Sequence, residues 1–145
     1  PKATRRSVLE IITRELRTPK GLRSLSPKSD GYQPQCHGTQ WQREQSYYNG
    51  SVWPWLLGPY FEACIKLYGR SAISFIENTL IGMEEELQQH GVGTVSELFD
   101  GNPPFKGRGA ISFAMSVGEL LRSLALLEEA KSKYDTQILP IIRYE

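Results

Sequence analysis

Cysteine is scarce in this sequence. Its 145 residues hold two, Cys36 and Cys64, too few for a disulfide framework. Metal ligands at a usable spacing are missing as well. Cys36-His37 is one adjacent pair and no second pair follows it, so neither a metal nor any other cofactor is expected. An excess of charge of one sign is also lacking. Seventeen Lys and Arg against 16 Asp and Glu leave a net charge of +1, which provides no electrostatic footprint for nucleic acid or an anionic membrane. No apolar run approaches the ~18–20 residues of a membrane span. The sequence opens Pro1-Lys2-Ala3, without an initiator methionine or a signal-peptide pattern. It reads as a single-domain fragment, residues 1–145, cut from a longer protein.

What is present is ordinary globular material. Hydrophobic residues make up 39% and charged residues 23%, so disorder throughout is excluded. Four stretches carry helical periodicity. Residues 4–17 place Val8, Leu9, Ile12 and Leu16 on one stripe, and Pro19 and Gly21 stop it. Residues 54–68 carry Leu57, Tyr60, Phe61, Cys64 and Tyr68, with Pro59 in the first turns. Residues 72–90 carry Ile73, Ile76, Leu80, Met83 and Leu87, with Ser71 as the expected N-cap. Beside that stripe, Glu84, Glu85 and Glu86 read as a solvated face. Residues 111–131 pack Met115, Val117, Leu120, Leu121, Leu124 and Leu127, and an apolar tail, Ile138 to Ile142, is expected to run extended.

Two long connections separate these helices, residues 18–52 and 91–110. The first is too long to be an idle loop in a compact domain, and it holds Tyr32, Trp41, Tyr47 and Tyr48, which disordered linkers rarely carry. It leads into Tyr47-Tyr48-Asn49-Gly50-Ser51-Val52-Trp53-Pro54-Trp55, which contains two of the three tryptophans and two of the seven tyrosines. Asn-Gly favours a tight turn and Pro54 the first turn of a helix. Flat aromatics beside amides suit a sugar, whose C–H faces stack on rings. They equally suit an aromatic-capped helix start, and on composition both readings stay open.

Helices joined by a short link pack antiparallel. If all four helices alternate in direction, both long connections emerge at one end. Stacked α-hairpins with elaborated loops on one rim describe an all-α fold, a portion of an α/α toroid, with its site at the rim. That arrangement brings Glu97 and Asp100 towards Asn49, Trp53 and Trp55. Paired carboxyls facing a polar, aromatic pocket are what glycosidic hydrolysis requires, ~6.5–9.5 Å apart in the inverting geometry. Glu97 can also be a surface acid near a helix, and Asp100 a turn former before Gly101.

Arg23-Ser24-Leu25-Ser26-Pro27, then Gln40-Trp41-Gln42-Arg43, then the Tyr47–Trp55 stretch resemble the C-terminal part of glycogen debranching enzymes. More closely, they are similar to the amylo-α-1,6-glucosidase domain of that family's bacterial relatives. Ser96-Glu97-Leu98-Phe99-Asp100-Gly101 and the helix from Ser112 through Met115-Ser116 to Leu121 follow in the family's order, so that the resemblance covers roughly residues 5–130. It implies the last portion of an (α/α)6 toroid of the six-hairpin glycosidase kind, in a cytoplasmic enzyme. The implied reaction removes α-1,6-linked glucose from a branched α-glucan, with inversion. Glu97 corresponds to the general base. The family's general acid lies upstream, without a counterpart in this chain. Arg23, Trp41, Arg43, Tyr48, Asn49, Gly50, Trp53, Trp55 and Asp100 are the candidate substrate-binding residues.

The implied partners are a branched α-glucan or maltooligosaccharide and the upstream part of the same polypeptide. A partial ring leaves apolar helix faces uncovered, which predicts self-association of the fragment. Two departures stand out. The family's usual His is Tyr48 here, and its Gln-Ala-Trp-Ser pattern is Phe113-Ala114-Met115-Ser116. They keep an alternative in play, a glucan-binding or scaffold module without catalysis.

Overall fold

The four periodic stretches fold as helices in the computed structural model, which describes residues 2–89 and 91–135. Helix α1 spans Lys2–Glu15. It buries Leu9 and packs Ile12 against the core, as Leu16 does just past its end, while Val8 and Ile11 stay about half exposed. Thr13 Oγ1 donates to the Leu9 carbonyl at 2.7 Å and meets Tyr60 Oη at 2.8 Å, tying α1 to the next long helix. A 3-10 turn over Pro54–Leu56 leads into α3, Leu57–Tyr68. Pro54 opens that turn, where its missing N–H has no intrahelical partner to lose. A second 3-10 turn, Gly69–Ala72, connects to α4, Ile73–Glu84, and a one-turn helix α5 follows over Glu86–Gln89. Helix α6 runs over Ala114–Asp135. Between α1 and α3 lies α2, Gln40–Tyr47, with a capping box formed by Thr39 and Gln42.

The fold is mostly helical but not all-α. Five short strands, β1 (Arg17–Thr18), β2 (Gly21–Arg23), β3 (Val52–Trp53), β4 (Leu98–Phe99) and β5 (Gly107–Arg108), form one antiparallel sheet in chain order. Leu22 sits opposite Trp53, Val52 opposite both Arg23 and Phe99, and Leu98 opposite Arg108. Strands of two or three residues show no period-2 alternation, which takes four to eight residues to read. The two long connections are therefore not loose loops: they supply all five strands. Gly21, at φ +148°, lies so close to β3 that a Cβ there would come within 2.5 Å of the Trp53 carbonyl oxygen.

Val52, Leu57, Phe61, Ile76 and Phe99 are fully buried and join sheet to helices in one core. Each such side chain contributes about 1.5–3 kcal/mol relative to exposure.

Several local expectations change. Ala72, not Ser71, stands at the N-cap of α4, with no side-chain cap, because the preceding 3-10 turn already supplies the helix start. Glu84 and Glu85 are exposed, but Glu86 is buried and pairs with Lys20 of the β1–β2 turn at 2.6 Å. Along α6 the buried residues are Ser116, Ser123, Leu127 and Ala130, whereas Met115, Leu121 and Leu124 are about half exposed or more. Leu121 and Leu124 line an open apolar groove with Leu80, Ile81 and Met83 of α4. The apolar tail lies outside the described residues. Among the described residues no helix is long and apolar enough to cross a membrane.

Candidate active site

Pairing of β3 with β4 sets Val52 opposite Phe99, so residues 47–55 run beside residues 97–100. The turn before β3 is held from several sides. Ser51 Oγ donates to the Ser46 carbonyl at 3.0 Å, Gly50 N donates to Ser24 Oγ at 3.0 Å, and Gln33 N donates to the Asn49 carbonyl at 2.7 Å. Gly50 has φ +150° and a Cβ there would lie 2.5 Å from the Gln33 carbonyl oxygen. Neither the left-handed conformation nor that closeness suits another residue.

Three aromatic rings gather at this turn. Tyr47 meets Tyr48 and Trp53 edge-on, each at a centroid distance of 4.8 Å, with interplanar angles of 85° and 86°. Tyr48 stacks parallel to Trp53 at 5.8 Å and 13°. Trp53 is buried and donates Nε1–H to the Tyr47 carbonyl at 3.2 Å, whereas Tyr48 is 69% exposed. An apolar layer of Cys36, Trp53 and Leu98, with Trp55 and Phe113 packed against it, lies beside these rings.

Glu97 reaches into the same cluster. Tyr47 Oη donates to its Oε1, and Ala110 N donates to its Oε2 at 2.8 Å. Glu97 N also donates to the Ala110 carbonyl at 2.9 Å, extending the β4–β5 pairing. Gly109, at φ +70°, leaves the room: a Cβ there would stand 2.4 Å from Glu97 Oε2. Burial and then the carboxylate of Glu97 push the Tyr47 phenol well above its ordinary pKa, so it remains a proton donor throughout the neutral range.

Asp100 is placed differently. It is buried, and its two oxygens face Arg108, whose Nε lies 3.1 Å from each and whose Nη2 lies 2.9 Å from Oδ2. Cys36 N also donates to Oδ1 at 3.0 Å. Its carboxylate thus locks the β4–β5 hairpin to the segment before α2. Arg23 plays a similar part, donating Nε–H to the Gly101 carbonyl at 2.8 Å. Arg43 is exposed and donates to the Gly38 carbonyl at 2.7 Å. Trp41, 67% exposed, stands in the first turn of α2, and exposed Asn49 donates Nδ2–H to the Gln45 carbonyl at 2.7 Å. Among the described residues no group of three or more His, Cys, Asp or Glu could hold a metal ion.

Residues 2–122 match the family model described as amylo-alpha-1,6-glucosidase. The chain belongs to that family. No curated protein matches it. Within the matched region of this amylo-alpha-1,6-glucosidase family member, the sheet assembles Glu97, Tyr47, Tyr48 and Trp53 at one place. Tyr47 and Arg108 are the two side chains of this neighbourhood that sequence reasoning passed over as partners. Tyr47 lay inside the aromatic motif, and its link to residue 97 crosses 50 positions. Arg108 had no motif to mark it, but an acid before Gly101 and an arginine in the next extended stretch are the signal a hairpin pair would give.

Proposed function

We propose that this chain is the C-terminal part of an α/α-toroid glycoside hydrolase that removes α-1,6-linked glucose from a branched α-glucan with inversion. Glu97 is the general base, taking a proton from the water that attacks the anomeric carbon. The bond from that carbon to the leaving oxygen breaks as the new one forms, and the leaving oxygen takes its proton from a carboxylic acid. That acid is supplied by the part of the polypeptide preceding this chain, since Asp100 is engaged by Arg108 and Cys36. Tyr48 offers an exposed ring face to a sugar over Trp53, with Asn49 next to it in the chain and Trp41 exposed at the start of α2, while Gly50, Arg23 and Asp100 keep the turn and the hairpin in register.

The observation that carries this reading is the Glu97 carboxyl held against the Tyr47–Tyr48–Trp53 cluster within a chain of this family. Glu97→Gln in the longest polypeptide carrying this segment tests it. An amide cannot accept the water's proton, so kcat is expected to fall about 10²–10⁴-fold, with binding of maltooligosaccharide retained. Normal turnover in that variant removes Glu97 from the chemistry.

A glucan-binding module without catalysis is the second reading, favoured by Tyr48 and by Phe113 packing into the apolar layer in place of a polar group. It predicts that maltooligosaccharides bind measurably by calorimetry while the polypeptide with its upstream part releases no glucose.

A further inference from the structure

A base that works on a bound water must be aimed, and the two oxygens of Glu97 are constrained unequally. The Oε2 edge is closed by backbone: it accepts from Ala110 N at 2.8 Å, and Gly109 lies so near that even a methyl group would collide with it. The Oε1 edge faces the aromatic cluster, and there the contact is the Tyr47 hydroxyl. Tyr47 is itself held in place. It closes α2, its carbonyl accepts from Trp53 Nε1, and its ring packs edge-on against both members of the stacked Tyr48–Trp53 pair.

We propose that Tyr47 is a positioning residue that aims the Glu97 carboxylate at the attacking water. The proposal rests on the reading of Glu97 as general base. Each carboxylate oxygen carries two lone-pair sites, so one donated hydrogen bond orients Oε1 and leaves a second site for the water. Without the hydroxyl, the carboxylate hinges on the Ala110 amide alone and can rotate away from the sugar. Tyr47 does not touch the substrate in this scheme. Its effect belongs in kcat and not in KM.

The test uses the longest polypeptide carrying this segment and a branched α-glucan whose released glucose is measured. Tyr47→Phe keeps the ring and removes the hydroxyl. Its kcat is expected to fall about 10- to 100-fold, the scale of a misplaced reacting group, with KM within about twofold of wild type. In the Glu97→Gln background, Tyr47→Phe is expected to cause no further loss, since the two act as one unit. Should Tyr47→Phe fail to fold, 4-methylphenylalanine at position 47 fills the space of the hydroxyl without donating, and 4-aminophenylalanine restores a donor there. The first is expected to lose kcat on the same scale, and the second to keep kcat near wild type. Wild-type kcat in Tyr47→Phe or with 4-methylphenylalanine, an effect on KM alone, or a loss with 4-aminophenylalanine as large as that with 4-methylphenylalanine would each overturn the proposal. Normal turnover in Glu97→Gln would instead overturn the reading beneath it, so the two failures are told apart.

Discussion

Asp100→Asn separates a scaffold role from a sugar-binding role, because the two fail in different measurements. The carboxylate side chain is 9% exposed and faces an Arg108 side chain that is 23% exposed. Three N···O contacts of 2.9–3.1 Å come from Arg108 and one of 3.0 Å from Cys36 N. An asparagine keeps one acceptor oxygen. Its amide nitrogen must then face either the guanidinium or the Cys36 N–H, donor against donor. Hydrogen bonds to charged groups contribute about 1.5–3 kcal/mol, and breaking a fully buried pair costs about 3–5 kcal/mol. Arg108 can turn partly to water, so the expected loss is about 2–3 kcal/mol. At about 3 °C per kcal/mol for a chain of this length, Tm falls by about 6–9 °C. Calorimetry or circular dichroism reads that shift, and titration with maltooligosaccharide below Tm is expected to give unchanged affinity. Arg108→Met should cost a similar amount, and the double variant less than the sum of the two. An unchanged Tm together with weakened glucan binding would refute the reasoning and return Asp100 to the sugar.

Two further predictions concern stability. Glu86→Leu leaves the Lys20 ammonium, whose side chain is 13% exposed, with the Gly82 carbonyl at 3.4 Å as its one remaining polar contact among the described residues. A loss of about 3–5 kcal/mol in urea unfolding is expected, most of it recovered in Lys20→Met/Glu86→Leu. Hydrogen bonds from Lys28 and then Arg14 hold the Glu15 carboxyl down to about 2, against an ordinary value of 4.5. A depressed folded-state pKa gives stability that is complete above the ordinary value and is lost as pH falls from about 4.5 towards 2. Glu15→Gln should flatten that acid limb of the urea midpoint against pH, and 1 M salt should shrink the difference.

The long helices were legible because each repeats its apolar residues over three or more turns, as Leu57, Tyr60, Phe61 and Cys64 do in α3. The outer face of α6 misled for a physical reason. Leu121 and Leu124 are as apolar as Leu127, and hydropathy does not tell a residue lining an open groove from one that is covered. The sheet was invisible because Val52-Trp53 and Leu98-Phe99 are too short to alternate and pair across 46 intervening positions. The meeting of the two long connections was inferred from alternating helix directions, whereas the strand ladder is what joins them. Glu97 was marked by its motif, but the donor facing it was not, since contacts over such separations leave no local trace in the chain.

The sheet visits its strands in the order in which they are synthesised, each beside its predecessor, although whole helices are inserted between some of them. The excursion from Arg23 to Val52 holds α2, and that from Trp53 to Leu98 holds α3 to α5. Such a layout behaves like a spine with detachable panels. An excursion can be lengthened, shortened or exchanged for that of a relative without rethreading any strand, provided its two ends return to neighbouring rungs. Swapping residues 24–51 would therefore retool the aromatic mouth without rethreading the carboxylate-bearing hairpin, provided the incoming segment offers Asp100 and Glu97 the donors that Cys36 and Tyr47 supply.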